Sequence, residues 1–167
     1  MQLPEVIHPK IPRKLSVELV PKSVRSNNLF YYYNQNRKLD LWSGIKNELL
    51  EREGQHCWIC QKKSVQLHLH EFWAFDDTNQ RMILQELHHV CNLCDKVLNA
   101  NLWFLTDYGR EQLLKLDILP EDLIKHYCKV NSCSLKDFGK DWRSAVDTWK
   151  KRNEITWEVN FGIYNPD

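Results

Sequence analysis

The chain has 167 residues, 43% of them hydrophobic and 11% aromatic, enough apolar surface for one ordinary domain with a real core and too much for a disordered chain. Its 23 basic and 22 acidic residues leave a formal net charge of +1. This excludes a general coating of duplex DNA through basic excess and confines any nucleic-acid contact to local patches.

No apolar run reaches membrane-spanning length, and the first residues lack the apolar stretch of a signal peptide. The expected setting is therefore the cytoplasm, with no membrane partner. There, six cysteines stay reduced and favour metal over disulfides.

Residues 1–14 hold Pro4, Pro9 and Pro12 without periodicity and read as an extended N-terminal arm. Residues 15–167 read as a single domain. Lys10, Arg13, Lys14, Lys22 and Arg25 form one basic patch near the start, and Lys150, Lys151 and Arg152 form another. Leu15, Val17 and Leu19 alternate with Ser16 and Glu18, the pattern of a short strand that Pro21 stops. Residues 22–40 show no clear element, and the run Tyr31, Tyr32, Tyr33 reads as exposed. Leu41, Trp42, Ile45, Leu49 and Leu50 then recur at helical spacing, and Gly54 suits the position just past the end of that helix.

The core is expected over residues 56–101. Cys57-Trp58-Ile59-Cys60 and Cys91-Asn92-Leu93-Cys94 are two C-x-x-C pairs thirty residues apart. Zinc takes four tetrahedral thiolates at such spacing, and four thiolates leave no open position for chemistry. The expected ion is structural, with an apparent binding energy on the order of 10–16 kcal/mol. Cys128 and Cys133 lie outside this pattern and read as small packed side chains.

Between the pairs, Val65, Leu67 and Leu69 alternate with Gln66, His68 and His70, so one strand face presents two imidazoles. Glu71, Trp73 and the turn-forming Asp76 and Asp77 follow. A short helical stretch is expected before His88 and His89, which read as packing or solvent-facing residues. Asp95 and Asn99 stand four apart, on one face of any helix starting at Cys94. Strand histidines and helix oxygens placed together could hold a second, open metal ion.

Residues 102–164 read as a helical and strand extension. A helix is expected over 110–119, and Pro120 suits the first turn of the next, with Leu123, Tyr127 and Val130 on one face. Ser134 and Asp137 form a capping box for a helix ending near Arg152, striped by Leu135, Phe138, Trp142, Ala145, Val146 and Trp149. Alternation from Ile155 to Ile163 signals a final strand. Trp73, Trp142, Trp149 and Trp157 are expected in the core. The fold class is α+β.

Several of these stretches together resemble the HNH endonuclease superfamily in its zinc-knuckle, ββα-metal (treble-clef) form, and more narrowly a bacterial group within it. The resemblance rests on Glu18-Leu19-Val20-Pro21, Asn28-Leu29, the two cysteine pairs and the H-E-x-W-x-F-D-D run from His70 to Asp77. It continues in Val130-Asn131, Trp142-Arg143-Ser144 or the run Trp149–Arg152, and Trp157, so that it spans roughly residues 17–161. It implies a ββα core around the four-cysteine zinc. It also implies a strand histidine, here His70, that deprotonates the water attacking a phosphodiester, beside a catalytic divalent ion. Family members carry histidine after the last knuckle cysteine and again four residues on; here Asp95 and Asn99 stand instead. Asp95 offers Mg²⁺ or Mn²⁺ a hard oxygen ligand and Asn99 a weaker one.

Two functions follow. One is a metal-dependent endonuclease acting on nucleic acid, expected to be DNA, with His70, Asp95, Asn99 and Glu71 as candidate catalytic residues. The other is a catalytically inactive zinc scaffold that binds protein or nucleic acid.

Overall fold

The computed structural model describes residues 14–166; the arm expected at the start lies, but for Lys14, outside the described residues. Helix α1 (Leu29–Gln35) begins at Asn28, whose side chain accepts from the Tyr31 N–H, and α2 (Leu39–Glu53) ends at Gly54, where φ is 80°. Tyr33 is fully buried on α1, its hydroxyl donating to the Tyr164 carbonyl at 2.5 Å; only Tyr31 of the tyrosine run is largely exposed.

The centre of the molecule is an antiparallel hairpin. Strand β1 (Leu67–Asp76) pairs with β2 (Arg81–Cys91), placing His70 opposite His88, with an irregularity between Phe72 and Trp73. Asp76 closes the turn by accepting from the Asn79 N–H and side-chain amide, at 3.0 and 2.7 Å. The short helix expected before His88 is therefore a strand. Its run of apolar residues buries Met82, Leu84, Leu87 and Val90, a content that length alone cannot assign to helix or strand.

β2 runs directly into α3 (Asn92–Leu98), completing a β–β–α unit. Then come α4 (Ala100–Leu105), α5 (Asp107–Lys115), α6 (Pro120–Asn131) and α7 (Leu135–Arg152). Pro120 occupies the first turn of α6, and the Ser134–Asp137 capping box opens α7. A short third strand, β3 (Glu158–Asn160), joins β2 in parallel. The final strand is thus shorter than its alternation suggests: Asn160 Oδ1 accepts from the Gly162 N–H at 2.7 Å, and the chain turns into a 3-10 segment.

Residues 15–21 form no strand, although their alternation suggests one. Asn131 brackets Leu15 with two hydrogen bonds of 2.9 and 2.8 Å, and the Trp149 indole N–H donates to the Val20 carbonyl at 3.0 Å. Side chains of α6 and α7 satisfy this backbone in place of a neighbouring strand.

One apolar cluster surrounds the cysteines and includes Leu15, Trp58, Val90, Leu98, Leu123 and Tyr127; Cys128 and Cys133 pack against it, half-buried. A second joins α1 and α2 to β2 through Leu29, Tyr33, Ile45, Leu49, Leu84 and Leu87. Trp157 is buried, whereas Trp73, Trp142 and Trp149 are half-buried and Leu135 is exposed, so the α7 stripe meets the core along only part of its length. No helix among the described residues is long and apolar enough to cross a membrane.

Candidate metal centre and histidine pocket

Two local structures deliver the sulfurs. Cys57 and Cys60 sit in a tight turn closed by the Gln61 N–H donating to the Cys57 carbonyl and the Cys57 N–H to the Lys62 carbonyl, both at 2.9 Å. The Trp58 N–H donates to the His89 carbonyl at 2.9 Å and fixes this turn to β2. Cys91 ends β2 and caps α3, and Cys94 falls in the first turn of that helix. All four Sγ atoms lie within 4.8 Å of one another, the one such group of His, Cys, Asp or Glu donors among the described residues.

The spacing suits a tetrahedral ion. The Cys60 and Cys91 sulfurs are 3.7 Å apart. Zinc–sulfur bonds of about 2.3 Å give a tetrahedron with edges of about 3.8 Å. None of the six cysteines is in a disulfide. Hydrogen bonds from Cys91 and Cys94 pull Cys57 far below the ordinary thiol range, while contacts with Cys57 and Cys91, and then burial, push Cys94 far above it. Burial also raises Cys60 to about 11. Four thiolates cannot share this dry space without a cation, and the donor set fits a metal such as zinc. Beyond the sulfurs, His126 Nε2 lies 3.1 Å from Cys94 Sγ.

Beside the centre, segment 15–21, β1 and α3 enclose a pocket of about 220 Å³. His70, only 7% exposed, is held at its wall. Its Nδ1 is 3.5 Å from Asp95 Oδ1, and its Nε2 is 3.5 Å from Glu18 Oε2, without a hydrogen bond. Burial is the largest single influence on this imidazole and disfavours its charge, yet the Asp95 and Glu18 carboxylates together outweigh it and raise the pKa to about 9. At neutral pH the ring is a cation between two carboxylates. It can give a proton, and it can take one only after a change that weakens the carboxylates' pull.

Asp95 lies in the first turn of α3, and Asn99 folds back on it: the Asn99 side-chain amide donates to the Asp95 carbonyl at 2.9 Å and to Oδ1 at 3.1 Å. That leaves the Asn99 carbonyl oxygen as its acceptor. Glu71 also lines the pocket, but its Oε1 accepts from the Leu29 N–H at 2.8 Å, tying α1 to β1, and burial raises its pKa to about 7. His68, the other imidazole of the strand pattern, is exposed. His88 stacks on Trp58 with ring centres 3.8 Å apart and bridges Glu53 and Glu86 at 2.8 and 3.0 Å, a packing role.

A wider groove of about 680 Å³ adjoins the pocket, sharing Glu18, Val20 and Trp73. Trp149 and Arg152 line it, and Lys22 of the first basic patch reaches Trp149. Lys22 stands over the Trp149 ring at 5.3 Å, and its N–H donates to Asn153 at 2.9 Å, just past Lys150 and Lys151. Arg152 is committed to Asp77, with two contacts of 2.9 Å. Lys10 and Arg13 lie outside the described residues.

Comparison of the chain with protein-family models, with curated proteins and with solved structures finds no match. Two site residues escaped the sequence reading. Glu18 stood in the Glu18–Pro21 stretch without a role, because no spacing rule links position 18 to 70 or 95. His126 carried no signal at all, being one histidine in a helix.

Proposed function

We propose that the chain is an HNH-like, metal-dependent endonuclease in which a structural zinc on Cys57, Cys60, Cys91 and Cys94 holds a ββα core and His70 moves the proton at the scissile phosphate. The observation that carries this reading is the placement of His70. It sits on the hairpin strand, 3.5 Å from an aspartate on the helix that the second cysteine pair starts, with a buried Nε2 that makes no hydrogen bond at a pocket wall.

Asp95 would hold a hard cation such as Mg²⁺ or Mn²⁺, with the Asn99 carbonyl oxygen and Glu18 as weaker partners. Such ions keep most of their waters and take only one or two carboxylates from a protein, so a compact cage is not required. Bound there, the ion would neutralise charge on the phosphate and leaving oxygen. The chain's own residues do the rest: Asn99 fixes Asp95, Asp95 and Glu18 orient the His70 ring, and the exposed Lys22, Lys150 and Lys151 would offer phosphate contacts.

The test is plasmid nicking with Mg²⁺, Mn²⁺ and Ni²⁺. Cleavage should stop with EDTA and vanish in a folded His70→Ala variant. A variant that cuts as fast as the parent removes His70 from the chemistry.

One observation favours a second reading, a catalytically silent zinc scaffold that binds nucleic acid or protein. Both His70 nitrogens already face carboxylates, and the donors around them form no second compact cluster among the described residues. Calorimetry of zinc-loaded protein with Mn²⁺ separates the two, since the scaffold reading allows no second binding event and no nicking.

A further inference from the structure

Helix α6 brings one side chain to the metal centre from outside both cysteine turns. His126 Nε2 lies 3.1 Å from Cys94 Sγ, and α6 packs on α3, the helix that carries Cys94. The imidazole is not part of the compact donor group, whose ligand atoms all lie within 4.8 Å of one another. Four sulfurs already complete a tetrahedral zinc site, so the imidazole stands outside the ligand set. A hydrogen bond to sulfur remains. A metal-bound thiolate has no proton to give, so Nε2 carries the proton and donates it.

Burial makes that donor matter. Four thiolates around a divalent ion carry excess negative charge, and Cys94 is fully buried. An anion out of water needs hydrogen-bond donors. Cys57 has a backbone donor, the Cys60 N–H at 3.5 Å; Cys94 has the His126 imidazole.

Resting on the metal centre proposed above, we infer that His126 is a positioning residue in the outer shell of the ion, donating Nε2–H to the Cys94 thiolate and so coupling metal retention to the docking of α6. Loss of such partners typically costs ten- to a hundredfold in metal affinity.

Chelator competition reads the zinc affinity, and the absorption of Co²⁺-loaded protein reads the ligand set. His126→Leu fills similar space without a donor. It should bind zinc ten- to a hundredfold more weakly while its cobalt spectrum still reports four thiolates. His126→Gln places an N–H at similar reach and should recover the parent's affinity. A leucine variant as tight as the parent overturns the inference, and so does a cobalt spectrum that loses a ligand, which would make His126 a direct one.

If the variants fail to fold, ¹¹³Cd-loaded parent protein decides alone. Spin coupling from cadmium through sulfur to the His126 ring proton is expected, and its absence while backbone couplings are resolved overturns the inference. A parent that binds no ion through four thiolates defeats the metal reading itself. An intact parent site with indifferent variants defeats only the role of His126.

Discussion

His70 holds a proton that its neighbours resist releasing. Its pKa of about 9 in the fold stands above the ordinary 6.5, so the carboxylate contacts stabilise the fold in full below about pH 6.5 and lose that contribution as pH rises through about 9. Denaturation at saturating zinc should show stability declining across that window, and His70→Gln should flatten the decline. A parent whose stability does not change between those limits would mean that the ring is not held between Asp95 and Glu18.

The same scale shows which residues the sequence made legible. Cys57, Cys60, Cys91 and Cys94 declare themselves because each pair is local and two C-x-x-C pairs at this separation are the spacing of a four-thiolate metal site. Strand alternation put His68 and His70 on one face, but it could not say that only His70 would be covered. That depends on Glu18 and Asp95 arriving from other elements.

Helices with local punctuation were the readable elements. Gly54, Pro120 and the Ser134–Asp137 box each mark an end through their own backbone chemistry, and the structure ends or begins helices there. The strands were harder, because alternation marks a half-buried extended chain and not its partner. Segment 15–21 alternates but bonds to Asn131 and Trp149, so Asn131→Ala should release Leu15 and cost about 1–3 kcal/mol in urea unfolding. An unchanged midpoint would show that this bracket does not hold the segment.

A second element-scale test falls where α4 meets α5. A Cβ at Gly109 would fall well inside contact distance of the Leu102 carbonyl oxygen, a backbone atom that cannot turn aside. Gly109→Ala should therefore destabilise by about 1–3 kcal/mol or more, as overpacked sites do. Equal stability in a denaturant titration would show that the two helices are not packed so closely.

Across the whole molecule, the four-cysteine cluster sits inside the apolar cluster that joins Leu15, the hairpin, α3 and α6. An ion bound with roughly 10–16 kcal/mol matches or exceeds the net stability of an ordinary domain, about 5–15 kcal/mol. Stripping it with a strong chelator, or replacing Cys60 by Ser, should abolish the near-ultraviolet tryptophan signal and open residues 56–101 to protease. The α+β class and the place of the cysteine turns could be read from the chain alone. The meeting of Glu18, His70 and Asp95, and of His126 with Cys94, could not, since each joins segments remote in sequence.

Mass spectrometry of the reduced chain under native and denaturing conditions weighs the ion itself. The native form should be heavier by a single zinc less the thiol protons it displaces, and acid should remove that difference. A native mass equal to the bare reduced chain, or one lower by two protons for every disulfide, would contradict a metal centre at Cys57, Cys60, Cys91 and Cys94.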